Sequence, residues 1–262
     1  MGIKLSFGID AWQAWIPALS ETAQCATVWQ NWPKQDTQAI GLDVSEPDVK
    51  FVDPMMRRRL SPFGRACLAG MHGLLSRCAH GAMPVVFASR HGDLIRTIEM
   101  LDAIAMHNPI SPTNFGLTVH NAVVGMAAIL QKNRQPALAM AAGLDTFWFG
   151  LCDVVARSQV SGQPHLYLYA DMPTPAIYQQ YADVHDLARV FACIIRPEQT
   201  KQIRIEGHVR EAHPPDLLSF PSELGFLSAL AQQQSQPLAM HGTAVTSQYQ
   251  WSWTLSEGSN VH

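Results

Sequence analysis

Apolar and polar positions alternate or cluster along this chain in a way that predicts strands interleaved with helices. Ile3 to Trp15 alternates in part, with Gly8 in its middle, and reads as a strand. Met83 to Ser89, Pro136 to Gly143 and Leu187 to Ile195 are short, apolar and flanked by turn residues, as buried strands are. His165 to Ala170 and Tyr249 to Leu255 alternate with period two. Gln202 to Val209 alternates too, but its polar content predicts a place near a sheet edge. Leu60 to His80 predicts a buried helix in spite of Gly64, Gly70 and Gly73, each of which costs about 1 kcal/mol against alanine. Leu94, Ile95, Ile98, Leu101, Ile104 and Ala105 recur at helical spacing behind Asp93, a residue that can cap the helix. Ala122 to Leu130 and Asp216 to Gln233 predict two further helices, the second broken near its start by Pro221. Residues 20–55, with Pro33, Pro47 and Pro54, read as a loop-rich excursion, Gln131 to Pro136 as a polar break and Asp171 to Pro175 as a loop. Gly143 and Asp145 turn the chain. Such alternation predicts an α/β layered sandwich.

Composition narrows the class. The chain has 262 residues, 47% of them apolar and 15% charged, with a formal net charge of −3. It is long enough for one large domain spanning 1–262 or two small ones, and the composition supports a substantial core and argues against disorder. A nucleic-acid binder would carry a basic footprint; here only Arg57, Arg58 and Arg59 cluster, and they read as the solvated start of the Leu60 to His80 helix. Cys25, Cys67, Cys78, Cys152 and Cys193 form no pair motif, which argues against a disulfide framework or a metal site and for a reducing, cytoplasmic setting. Asp10 falls too early for a signal-peptide core, and no apolar run reaches membrane-spanning length. No cofactor motif is present.

Ser111 to Gly125 concentrates the candidate chemistry. Ser111-Pro-Thr113 is a turn, Phe115 to Val119 a short extended run, and the helix from Ala122 follows. A strand that passes sharply into a helix presents one side chain and free backbone N–H groups to a cavity, as nucleophile elbows do. Val119-His120-Asn121-Ala122-Val123-Val124-Gly125 resembles the active-site turn of the β-ketoacyl synthases, enzymes of the thiolase fold whose cysteine takes the growing acyl chain, with Val123 on the cysteine position. Ala88-Ser-Arg-His-Gly92, Ser111-Pro-Thr113 and Ala142-Gly-Leu-Asp145 add to the match. Together they most resemble the short chain-length factors of polyene and aryl-polyene biosynthesis, over Ile3 to Ala170 above all.

The resemblance implies a thiolase-like layered α/β sandwich, with a synthase-like half at 1–160 and a reduced second half at 161–262. It implies a non-catalytic subunit that forms a heterodimer with a Cys-bearing β-ketoacyl synthase, meets acyl carrier protein through that complex and helps to bound the acyl chain. Valine has no lone pair for thioester exchange. The synthases also use two histidines; Gly207-His208 and His241-Gly242-Thr243 occur in the reverse of the family's order, His241 just before the last strand, and take no role. His120, Asn121, Val123, Val124, Gly125, Met126 and Ala128 are the tunnel or interface candidates. His120 and Asn121 either line the pocket or satisfy the turn's backbone. Ser89, Arg90, His91 and Ser111 are secondary candidates near the same cavity. Met100, Met106, Met126 and Met140 read as core fillers. A competing class remains open: an active homodimeric acyltransferase or hydrolase working through Ser89 or His120. So does a thiolase-fold binding module with no synthase partner.

Overall fold

The computed structural model describes residues 2–17, 42–43, 47–78, 81–182, 186–197, 203–209, 223–235, 239–246 and 249–256. Most of the excursion at 20–55, the break at Pro221, and Cys25 lie outside the described residues.

One strand is shared by everything else. β1 (Gly2–Trp15) pairs antiparallel through Gly8 to Trp15 with β6 (Arg189–Arg196) and through Gly2 to Phe7 with β7 (Ile203–Val209). Beyond β6 the sheet continues to β5 (His165–Asp171), β3 (Val85–Ala88) and β4 (Ala137–Met140). Beyond β7 it continues to β9 (Tyr249–Leu255) and β8 (Met240–Val245), while β2 (Leu42–Asp43) pairs with the end of β1. Among the described residues these form one nine-stranded sheet with β4 and β8 at its ends.

Four helices, a single turn and a corner flank the sheet among the described residues. α1 (Pro54–Arg57) is a single turn that leads into α2 (Pro62–Ser76), which is capped by Ser61. α3 (Leu94–Ala105) is capped by Asp93, as the sequence predicts. α4 (Pro112–Thr118) and α5 (Ala122–Gln131) meet at a bend of 100°. α6 (Thr146–Ser161) and α7 (Leu224–Ser235) complete the set. β5 and β6 are buried on both faces. Leu166, Leu168, Ala192 and Ile194 join Cys67, Leu68 and Met71 of α2 and Val123, Val124 and Ala127 of α5. Tyr167, Tyr169, Phe191 and Cys193 join α6 and α7. The far end of the sheet curls over α6, so that Trp148 stacks on Trp251 with ring centroids 5.6 Å apart. The result is the layered α/β sandwich that the sequence predicts. Among the described residues no single helix is long and apolar enough to cross a membrane.

Five expectations change. Pro136 to Gly143 is not a buried strand: only Ala137–Met140 is extended, at the end of the sheet, with Ala137 exposed and the other three half-buried. Phe115 to Val119 is not extended: Ser111 accepts from Asn114 N, Pro112 opens the first turn, and the segment to Thr118 is α4. Gln202 to Val209 is not near an edge: Ile203–Val209 pairs on both sides, and its polar residues come from an outer face left open. The helix α6 is not among the predicted ones: its first half, 146–151, is apolar and almost wholly buried, and only its last turns carry exposed polar residues such as Arg157 and Gln159. β8 was also not expected, and places His241 within a strand opposite Thr254.

Candidate functional site

Of the predicted site residues, Ser89 and His120 meet where β3 and β4 end, through the Met140 carbonyl. β3 delivers Ser89 into full burial. Its Oγ donates to Asp171 Oδ1 over 3.1 Å and accepts from Gly92 N over 2.8 Å, while Ser89 N donates to the Met140 carbonyl over 3.2 Å. Gly92 turns with φ +61°, and a Cβ there would come within 3.0 Å of His120 Nδ1. His120 Nε2 lies 3.2 Å from the same Met140 carbonyl oxygen. A carbonyl can only accept, so Nε2 carries the proton there. His120 therefore clamps the α4–α5 corner to the end of β4, with its ring 5.7 Å from that of Phe87.

Ser89 has a carboxylate but no histidine in its hydrogen-bond set, so this is not a nucleophile–base pair. Arg90 contributes its backbone N–H, 2.8 Å from Asp171 Oδ1, and His91 is exposed. Behind Ser89 lies a buried polar network that sequence reasoning missed. Tyr169 OH is 2.8 Å from Asp171 Oδ2 and 3.1 Å from Glu223 Oε1. Arg189 Nε donates to Glu223 over 2.5 Å and Nη2 to Tyr169 OH over 3.0 Å. Burial pushes the Tyr169 phenol well above its ordinary value, against the pull of Arg189. For Arg189 burial works the other way, but Tyr169, Glu223 and Asp171 outweigh it and hold the guanidinium charged. The signal available was Asp171 at the end of one largely apolar strand and Arg189 at the start of another, since charges at such positions are paired.

The remaining candidates divide by face. Val123, Val124 and Ala127 are buried in this chain's own core. Asn121 and Gly125 are exposed; Asn121 makes no side-chain cap bond, and a Cβ on Gly125 would meet nothing within 4 Å. Met126 and Ala128 are half-buried, and Ser111 is spent on capping α4. Around them runs an uncovered apolar surface: neither α3 nor α4 buries a single residue, and Leu101, Ile104, Phe115, Val119 and Ile129 all stand exposed. It continues to β4, whose outer edge pairs with no strand among the described residues. No described cysteine is poised as a thiolate: burial raises all four, Cys152 to about 12. His208 and His241 lie exposed on β7 and β8, and no group of metal-ligating side chains occurs among the described residues.

The family model for the N-terminal domain of β-ketoacyl synthases matches residues 29–254. The chain belongs to the β-ketoacyl synthase family. Among solved structures, the ketosynthase ApeO in complex with its chain length factor ApeC, from Xenorhabdus doucetiae, contains a chain that is 25% identical, with a TM-score of 0.74 over 95% of this chain and 99% of that one. The ishigamide ketosynthase/chain length factor gives a TM-score of 0.68 at 13% identity, over 97% and 99% of the two chains. A type II polyketide acyl-carrier protein in complex with its ketosynthase gives 0.66 at 10% identity, over 97% and 100%. The last two show the thiolase-like fold. No curated protein matches the chain.

Proposed function

We propose that this synthase-family chain is a non-catalytic chain-length factor that pairs with a Cys-bearing β-ketoacyl synthase and helps to bound the growing acyl chain. The observation that carries the reading is the uncovered apolar surface of α3, α4 and α5 beside the open edge of β4. Large exposed apolar patches mark interaction sites, and an unpaired strand edge offers N–H and C=O groups to another chain. The ApeO–ApeC complex supports a synthase as the partner. The partner supplies the cysteine and histidines that condense acyl-carrier-protein thioesters. This chain offers Val123 and Val124 where α5 starts and Ala141 and Ala142 before α6, none of which can form an acyl intermediate.

Co-expression with a Cys-bearing synthase, followed by size-exclusion chromatography, tests the pairing; a stable heterodimer is expected. Intact-mass spectrometry of this chain after incubation with acyl-carrier-protein thioesters tests the chemistry. A stoichiometric acyl adduct would favour the acyltransferase or hydrolase class instead.

A further inference from the structure

An acyl-accepting elbow needs three things in one place: a strand that fixes the turn, a turn that substrate can reach, and a dry helix behind it. The segment before α5 lacks the first, because α4 is helical. The passage from β3 to α3 lacks the second and third, because Ser89 is fully buried and α3 buries nothing. The passage from β4 to α6 has all three. β4 is held in register, Val85 opposite Ala137 through Ala88 opposite Met140. Its last carbonyl is gripped by Ser89 N and His120 Nε2, each at 3.2 Å. The turn then reverses through Gly143, whose φ of +59° suits glycine and whose Cβ position is open. Ala141, Gly143 and Leu144 are exposed and Ala142 half-exposed. Thr146 Oγ1 ties the turn shut, accepting from Ala142 N over 2.9 Å and donating to the Gly143 carbonyl over 2.7 Å. α6 follows at once, with Phe147, Trp148, Leu151, Val154 and Val155 buried between the two parts of the sheet.

We propose that the turn from Ala141 to Asp145 is this chain's elbow, that Ala142 rather than Val123 stands in the place of the acylated cysteine, and that the turn faces the synthase along the β4 edge. The first two parts rest on geometry within this chain; the third deepens the chain-length-factor reading and rests on it. Ala142 offers a methyl group where the chemistry needs a thiolate, so the elbow persists without its reactive atom.

Single cysteines in the full chain test this. Ala142→Cys, Val123→Cys and Leu144→Cys are each alkylated with iodoacetamide across a pH series and followed by peptide mass spectrometry. At the start of a buried helix the thiol at 142 should titrate below the ordinary value of about 8.5. It should react at least about tenfold faster at pH 7 than the buried thiol at 123, the difference that one pH unit of thiolate makes. Leu144→Cys should be reachable but titrate normally. Ala142→Cys no faster than Val123→Cys, or titrating like Leu144→Cys, would overturn the assignment. If Ala142→Cys does not fold, Leu144→Cys still decides the third part. In a heterodimer that size-exclusion shows intact, its alkylation should fall about tenfold or more, and an unchanged rate would overturn the placement. Failure of the heterodimer to form sinks the chain-length-factor reading, while the rates at 142 and 123 still decide the elbow.

Discussion

Arg189 is the cation that Asp171 and Glu223 share, and its side chain is 12% exposed. Removing one partner of a buried ion pair leaves the others uncompensated and costs about 3–5 kcal/mol. Arg189→Met should therefore destabilise the chain by that order, read as a lower urea midpoint; a loss under ~1 kcal/mol would mean that the network is slack. The cysteines make a second residue-scale prediction. With its pKa raised to about 12, Cys152 stays protonated in the fold while an unfolded chain ionises near 9. Protons are then lost only on unfolding, so stability that is intact below pH 9 should decline between about pH 9 and 12. Cys152→Ala should flatten that decline in a pH series of thermal melts.

α5 separates packing from contact with a partner. Val123 faces the core, so Val123→Ala should cost roughly 1–3 kcal/mol of stability by loss of buried surface. Gly125 faces outward with open space at its Cβ, so Gly125→Leu should leave the isolated chain as stable or up to ~1 kcal/mol more stable. Its effect should appear only in the reconstituted heterodimer, together with Ala128→Phe, as a shifted product-length distribution by mass spectrometry. Unchanged products from a normally assembled pair would move the tunnel wall elsewhere. The contrast between these neighbours also shows what the sequence could reveal. Strands such as His165–Asp171, and the cap at Asp93, were legible because their side chains state their environment locally. α6 was not, since its first half is almost wholly buried and its polar residues gather only in its last turns, which blurs the amphipathic signature. Phe115 to Val119 was misread because apolar residues here face outward rather than into a strand core. The convergence of Ser89, His120 and Met140 depends on sheet order, which sequence spacing does not contain.

At the scale of the whole molecule, the open apolar surface predicts that the chain alone self-associates or is poorly soluble. The synthase pair should bury roughly 2,000 Å² or more, as obligate interfaces do. Sedimentation of the isolated chain across a concentration range checks this; a monomer at every concentration would count against it. β1 carries a different consequence. Apart from the two-residue β2, its partners β6 and β7 come from beyond residue 188, so β1 is synthesised well before them. Until β6 has been made the chain holds this central strand almost wholly unpaired, with apolar residues such as Phe7, Ile9 and Trp12 still waiting for cover. Non-local pairing of this kind is slow and exposed to aggregation. Nascent chains stalled before β6 should therefore be protease-sensitive and bound by chaperones, and resistance should come in a single late step, once the last strands are out of the exit tunnel.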